Sequence, residues 1–468
     1  MSLLTSILQN TLLVLVIVMI FNIIIFVHEL GHFLAARWRG LRVDRFQIWF
    51  GKPIWKKTVN GVQYGLGWIP AGGFVALPQM APMESIEGGN GSEEPLPPIS
   101  PLDKIIVAFA GPLFSILLAL LSGLIVWTVG KPKDFIPTQE VGFVEPGSSA
   151  AKAGLLPGDT IIAVNGEPVN GFMGPLDSIM ARIILSRGNR IEFTVTRPGA
   201  AEPLKLTSEF VIGESKWFQR RGLRDVGFSE ARPAIVAGVY PDSPAAGAGL
   251  KAGDEVLKVD GIPLRSPPQF AFYLIEKKWP QVRLEVRSTD GAVREVSLTP
   301  ERPLKPAGMD PMAGLRWDQQ IGVDETIVKP DPWTQVKESA MMMWGTVTSV
   351  ISPDSSIGID HLSGPVGIAK HQFALLKTNF PWQRLLAFMV LFNVNLAILN
   401  MLPFPVLDGG HITLATMEWL ARRPVKARIL EVVQTAFALM LMGLMLYVTS
   451  KDIGDSFGRK GEEVVFPK

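Results

Sequence analysis

Cysteine is absent from all 468 residues. No disulfide, thiolate nucleophile or Cys-ligated metal is then available, so any zinc must be held by histidine and carboxylate. The absence is compatible with an oxidising compartment without establishing one. Charge is also scarce: 45 Lys and Arg against 43 Asp and Glu leave +2, only 19% of residues are charged, and no basic tract occurs. That balance gives nucleic acid no electrostatic footing, and none is expected as a partner. With 47% hydrophobic residues, the composition suits a membrane protein carrying soluble parts, and the length suggests more than one domain. Met1 to Asn10 holds no Lys or Arg, unlike the start of a secretory signal peptide.

What the chain does have begins with an uncharged apolar run, Thr11 to Val27, that ends in His28-Glu29-Leu30-Gly31-His32. On a helix, H-E-x-x-H puts two imidazoles one turn apart on one face, the spacing that grips a tetrahedral Zn²⁺ with a glutamate beside it as general base. The run is long enough to cross a bilayer, where ionisable side chains are costly and normally functional. Because this segment carries the candidate chemistry, it is expected to be retained. A capped helix end at the membrane surface is the plainer reading of the same five residues.

Four spans are expected, about Thr5–Ala35, Lys104–Val129, Arg384–Met401 and Ile429–Thr449. Basic residues follow the first span (Arg37, Arg39, Arg42, Arg45, Lys52, Lys56, Lys57) and lie between the third and fourth (Arg422, Arg423, Lys426, Arg428). The positive-inside rule places both loops in the cytoplasm, and both termini with the 130–383 segment on the opposite face. Thr58 to Tyr64 reads as strand, Asn60-Gly61 turn, strand. Apolar glycine-rich sequence continues to Leu77, so a hairpin at about 56–78 is expected, either re-entrant beside the membrane site or at the surface. Met83 to Pro101 reads as a flexible loop.

An internal repeat organises the middle of the chain. Val144 to Asp159 aligns without gaps on Val239 to Asp254, and Ile161 to Gly166 on Val256 to Gly261. The shared pattern resembles the PDZ family: a short helix ended by Gly154 or Gly249, then a strand closed by Asn165-Gly166 or Asp260-Gly261. Two α+β domains, 134–223 and 226–302, are expected, serving either to capture peptide on a sheet edge or to exclude bulky substrates. Residues 331–380, with Trp333, Met341 to Trp344 and Leu362 to Gly367, read as an amphipathic membrane-surface linker or as helices packed on the repeat pair. A frayed tail is expected over 451–468. Gly454 to Gly458 matches G-x-S-x-G without a strand–turn–helix setting, so a serine hydrolase is not expected.

Two histidines need a third ligand. Phe392 to His411 brings asparagines, Pro403, Pro405 and a single carboxylate, Asp408, into apolar sequence. The prolines must end the helix there, and Asp408 is the obvious partner for the histidines. His411 remains an alternative ligand, while His361 and His371 are assigned no metal role.

With H-E-x-x-H at 28–32, N-x-x-P-x-P-x-L-D-G-G at 400–410, Ala110-Gly111-Pro112 and Gly72 to Phe74, the chain resembles the site-2 protease family of intramembrane zinc metalloproteases. The paired repeat points to its bacterial, sigma-E-regulating (RseP-type) branch. The resemblance implies an α-helical polytopic membrane protein of four transmembrane helices, with a membrane-associated β-hairpin and two inserted PDZ-like domains. The membrane domain would comprise 1–130 and 381–450. One Zn²⁺ per chain would be held by His28, His32 and Asp408, with Glu29 as catalytic base. Asn395 and Asn400 would position the substrate backbone or oxyanion, and Gly72, Gly73 and Phe74 would hold the unwound substrate strand. Implied substrates are single-span proteins: an anti-sigma factor already trimmed outside the membrane, and remnant signal peptides. The implied location is a bacterial inner membrane, with the lipid bilayer as partner and the PDZ-like pair in the periplasm. A membrane-tethered scaffold with a vestigial metal site, and a transporter using intramembrane Asp, His and Asn, are the competing classes; the lack of any repeat between the two sets of spans counts against the transporter.

Overall fold

The computed structural model describes residues 3–80, 99–213, 215–306, 308–422, 427–458 and 464–467. The expected flexible loop falls largely on 81–98, and Arg423 and Lys426 on 423–426, outside the described residues. The chain divides into two compact units. One comprises Met1–Pro132, Ile327–Val347 and Ser363–Asp452, the other Lys133–Thr326, Thr348–Leu362 and Ile453–Lys468.

Helices dominate the first unit: α1 (Leu3–Trp38), α2 (Pro101–Val129), α3 (Pro332–Ile351), α4 (Pro365–Leu375), α5 (Pro381–Asn400), α6 (Asp408–Ala421) and α7 (Ala427–Gly458), the last residues of α3 and α7 being counted with the second unit. Four of these, α1, α2, α5 and α7, are long and apolar enough to cross a membrane, with mean hydropathy 2.8, 2.5, 1.5 and 1.8. Leu8, Leu15, Leu121 and Leu439 are exposed along them, which suits hydrocarbon and not water. Exposed Trp38, Trp127, Trp382 and Trp419 stand at or near helix ends, as side chains with an apolar body and one N–H do at lipid–water boundaries.

The helix α2 lies against α1, α5 and α6. Most of its buried positions are small, among them Ala108, Gly111, Ser115, Ala119, Ser122 and Gly123. Small residues at this spacing let neighbouring backbones approach closely where lipid supplies no hydrophobic drive. Ser100 caps α2 by accepting from the Asp103 N–H, with Pro101 in the first turn, so α2 begins where the flexible loop was expected to end.

The hairpin is longer than its sequence signal. Strand β1 covers Arg45–Val59 and β2 Val62–Ala76, joined by Asn60 (φ 48°) and Gly61 (φ 82°) in the left-handed conformation this turn demands. Arg45, Lys52, Lys56 and Lys57 disguise the first strand as a basic loop. Arg45–Ile48 pairs on one side with Gln63–Leu66 and on the other with Gly73–Ala76, while 53–59 pairs with 62–67. Gly73–Ala76 is therefore an outer segment of a curled sheet.

The 331–380 stretch forms two helices. On α3, Val336 packs with Ala119 of α2 and with Val390 and Val394 of α5, leaving Trp333, Met341, Met342 and Trp344 exposed. Gln335 Nε2 donates to Gly123 O at 3.0 Å. On α4, Phe373 and Leu376 pack with Ile17, Ile20 and Ile24 of α1. The Gly364 to Gly367 motif admits Asp452 of α7: the Gly367 N–H donates to Asp452 Oδ2 at 2.7 Å, and a Cβ on either glycine would meet that carboxylate.

In the second unit the two repeats build sheets of one order. Residues 167–168, 160–164, 190–196 and 204–209 are neighbours in the first, and 262–263, 255–259, 282–287 and 293–298 in the second. Ser148 and Ser243 each cap a four-residue helix. Asp159 Oδ2 accepts from the Leu156 N–H and pairs with Arg197, which also donates to Gly154 O at 2.7 Å. Asp254 repeats this with the Lys251 N–H, Arg294 and Gly249 O. Each lobe's core reaches past the expected limits. Phe228–Glu230 pairs with Val141–Val144, and Leu315–Trp317 pairs with Val236–Val239. Each closing strand follows a long connection, so no local periodicity ties it to its lobe.

The expected fraying after Lys451 is not what the described residues show. Helix α7 continues to Gly458, which makes the G-x-S-x-G match helical. Further on, Val465 pairs with Lys305, and Phe466 is buried against Tyr240. Burial of that aromatic, together with the backbone hydrogen bonds of Val465 to Leu304 and Lys305, holds the segment.

The Asp159–Arg197 pair closes the turn before the first lobe's central strand, and Asp159 is buried. Asp159→Ala removes the acceptor of the Leu156 N–H and the charged partner of Arg197, which keeps the Gly154 carbonyl, and should cost about 1–3 kcal/mol. Hydrogen exchange across 141–209 in the full chain is the check, with 236–298 as internal reference.

Candidate metal centre

Both histidines project from α1 toward α2. His32 Nδ1 stands 2.8 Å from Val107 O, a group that can only accept, so Nδ1 carries the proton and Nε2 keeps its lone pair. His28 Nδ1 meets the Ser115 hydroxyl at 2.9 Å. The two Nε2 atoms then face each other at 3.4 Å. Asp408 completes the group: Oδ2 is 3.3 Å from His28 Nε2 and Oδ1 is 3.3 Å from His32 Nε2.

The donor set fits a metal ion. Metal–ligand bonds of about 2.05 Å in a tetrahedron put donors about 3.3 Å apart; the two Nε2 atoms are 3.4 Å apart, each stands 3.3 Å from a different oxygen of Asp408, and one donor atom from each of the three residues lies within 4.8 Å of the others. Asp408 Oδ2 is buried without a hydrogen bond. An unpaired carboxylate oxygen in such a place is costly unless a cation meets it.

Glycines make the cluster possible. A Cβ on Gly31 would run into the Ala110 carbonyl and the Phe114 ring, so α1 and α2 touch at the centre of the H-E-x-x-H turn. A Cβ on Gly111 would overlap Nε2 of both histidines. Asp408 depends on the chain break before it. Helix α5 ends at Asn400 and α6 opens at Asp408. Gly409 and Gly410 let that opening turn press on the Met401, Leu402 and Phe404 carbonyls. Buried Gln434 of α7 donates to Pro405 O at 3.4 Å.

Glu29 points toward the sheet. A Cβ on Gly73 would come 3.3 Å from Glu29 Cγ and 2.9 Å from Ile25 Cγ2. Gly72 adopts φ 68° against the Phe50 ring, which stacks on Phe74 at 6.3 Å. Trp49 Nε1 donates to Asn22 Oδ1 at 2.6 Å, tying β1 to α1. The structure thus brings Glu29 and Gly73 together beside the three donors. It does not hydrogen-bond Asn395 or Asn400 to them. Both lie on α5, where Asn395 Oδ1 is buried without a partner, as is Oδ1 of neighbouring Asn393. His411 lies outside the donor group. It lines a cavity of about 20 Å³ with Lys104 and Glu418, which pair at 2.7 Å. Sequence reasoning gave no role to Ser115, whose only local signal was its place four residues after Gly111 on a small-residue face.

Gly111→Ala should lower divalent-metal occupancy at least tenfold, and Ser115→Ala by about tenfold, as losses of ligand-orienting groups generally do. Elemental analysis after dialysis against a graded chelator measures both. Full occupancy in Gly111→Ala would show that the histidines do not converge there.

Comparison with known proteins agrees over nearly the whole chain. Residues 16–444 match Peptidase family M50. A "Putative zinc metalloprotease" of Neisseria meningitidis is 30% identical over 462 residues, 92% of this chain and 96% of that protein. "Regulator of sigma-E protease RseP" of Salmonella typhimurium is 27% identical over 454 residues, and its namesake in Escherichia coli 27% over 457; each alignment covers 91% of this chain and 95% of the relative. The chain belongs to peptidase family M50 and is a zinc metalloprotease of the site-2 type.

Proposed function

We propose that this protein cleaves single-span membrane proteins within or beside the bilayer, with His28, His32 and Asp408 holding one Zn²⁺ per chain. The observation that carries the proposal is the donor cluster at the end of an apolar span, with Glu29 between it and an outer sheet segment. When bound, the ion supplies Lewis acidity toward water and the scissile carbonyl. Glu29 takes the proton from the attacking water and delivers it to the leaving amine. Asn395 and Asn400 position the substrate backbone or the developing oxyanion.

A peptide bond inside a transmembrane helix is hydrogen-bonded and sterically closed. Cleavage needs an unwound stretch, and Gly73–Ala76 offers it a backbone edge running past Glu29. Gly72 and Gly73 keep that edge close to α1, and Phe74 anchors it on Phe50.

The sigma-E regulators among the relatives favour an anti-sigma factor already trimmed outside the membrane, and remnant signal peptides, as substrates in regulated intramembrane proteolysis of an envelope stress response. The setting we propose is a bacterial inner membrane, with the basic loops cytoplasmic and both termini and the two lobes periplasmic. The lobes, which we take as PDZ-like, serve as peptide-capture sites or as a size filter.

Glu29→Gln should reduce cleavage of a single-span reporter by about 10²–10⁴-fold while the purified protein keeps one zinc. Loss of zinc along with activity would make Glu29 a ligand instead of the base. If the lobes are a filter, deleting 134–302 releases cleavage of untrimmed substrate; unchanged resistance of that substrate would reject the filter.

A further inference from the structure

Residues 464–467 come back to the second lobe and sit on it as a ligand would. They and the lobe belong to the same unit. The Val465 N–H donates to Lys305 O at 3.1 Å, and Val465 O accepts from the Leu304 and Lys305 N–H groups at 2.7 and 3.4 Å. That is a single antiparallel rung laid on backbone already in place. The receiving stretch is at the surface, with Leu304 61% exposed, and Val465 is itself 37% exposed. Phe466 alone is sunk, at 2%.

The lobe builds the pocket that takes this ring. The Phe466 ring centroid lies 6.4 Å from that of Tyr240. Tyr240 donates its backbone N–H to Gly314 O at 3.0 Å, and the Arg316 guanidinium lies 5.5 Å over the Tyr240 ring. Gly314, at φ 81°, gives the aromatic room: a Cβ there would press on Ser243 and come 3.3 Å from Phe466 Cε2. The lobe closes its core without the visitor. That core gathers Ala234, Val236, Leu298 and Ala313 with the central strands, and Phe466 lies outside it.

One backbone rung beside one buried side chain is a mode in which folded domains hold extended peptides. Proteolysis gives these residues no task. Between Gly458, the last residue of α7, and Val464 the sequence is Arg459-Lys460-Gly461-Glu462-Glu463, which has no apolar residue to strengthen the hold. So short a connection keeps the segment at its pocket at an effective concentration of about a millimolar. Glu462 and Glu463 adjoin Val464 in sequence, while Arg302 and Lys305 belong to the receiving loop, so the two partners are opposite in charge.

We propose that Tyr240, Gly314 and the backbone of 304–305 form a peptide-binding site whose resident ligand is the chain's own Val464-Val465-Phe466. The ligand class is an extended peptide that lays a β-branched residue on the rung and follows it with an aromatic. An outside peptide of that class enters only where the resident segment has left. The site is a loop and a turn, not a sheet edge, and it stands whether the lobes capture substrate or exclude it.

The probe is a synthetic peptide of residues 459–468 with fluorophenylalanine at position 466. Fluorine NMR follows its binding to the detergent-purified full chain and to a chain ending at Gly458. The shortened chain should bind it saturably and roughly tenfold or more tightly than the full chain, where the resident segment competes. The full chain carrying Phe466→Ala should bind it as the shortened chain does, and an unlabelled peptide with Phe466→Ala should fail to displace it. Hydrogen exchange run alongside should show the Leu304 and Lys305 amides losing protection in the shortened chain and regaining it with peptide, with 236–298 unchanged. Equal binding to full and shortened chains would place the peptide elsewhere. No binding to a shortened chain whose 236–298 stays protected would leave no peptide site. Loss of protection throughout 236–298 would make Phe466 a part of the lobe's core and not its ligand. Any of these three results overturns the proposal.

Discussion

Everything at the candidate centre depends on how closely α1 and α2 approach. Placing two imidazoles and a carboxylate among apolar helices is affordable only if each polar atom has a partner, because the surrounding hydrocarbon offers no hydrogen bonds. Gly31 removes the side chain that would hold the helices apart, and Gly111 clears the space in front of both Nε2 atoms. The same approach brings Val107 O and the Ser115 hydroxyl within reach of the two Nδ1 atoms. One packing contact thereby sets ring orientation, tautomer and donor spacing together.

The third donor arrives by another route. Pro403 and Pro405 end α5, and residues 401–407 turn the chain so that Asp408 opens α6. Gly409 and Gly410 compress that turn, and Gln434 reaches it from α7. Asp408 is thus presented from a helix start packed on its own preceding loop, a stiff arrangement for a ligand that must match two histidines to within tenths of an ångström.

The two lobes show repetition extending beyond the motif that reveals it. The aligned residues supply the cap serine, the glycine that ends the short helix and the aspartate of the next turn. The arginines that complete each cluster, Arg197 and Arg294, lie 38 and 40 residues after their aspartates and so fall out of register. Asn165 and Asp260 likewise differ in type but do one job, each accepting a backbone N–H from the neighbouring strand, that of Glu192 or Arg283.

Features written in local pattern were legible without coordinates. Four long apolar runs, the Asn60-Gly61 turn, the i, i+4 histidines, the proline break before Asp408 and the gapless repeat each express a preference acting over a few residues. Long-range placements were not legible. The first strand from Arg45 was hidden by its lysines and arginines, because its pairing lies with residues 63–66 and 73–76. Helix α6 was hidden behind the loop it packs on, and the closing strands at 228–230 and 315–317 belong to lobes whose cores begin some 85 residues earlier. The tether at Phe466 and the ion pair of Arg220 with Asp455 join segments hundreds of residues apart. Local sequence determined which residues would be chemically able and which would be helical or extended. Only tertiary structure decided which of them meet, because close approach depends on what a distant glycine leaves empty.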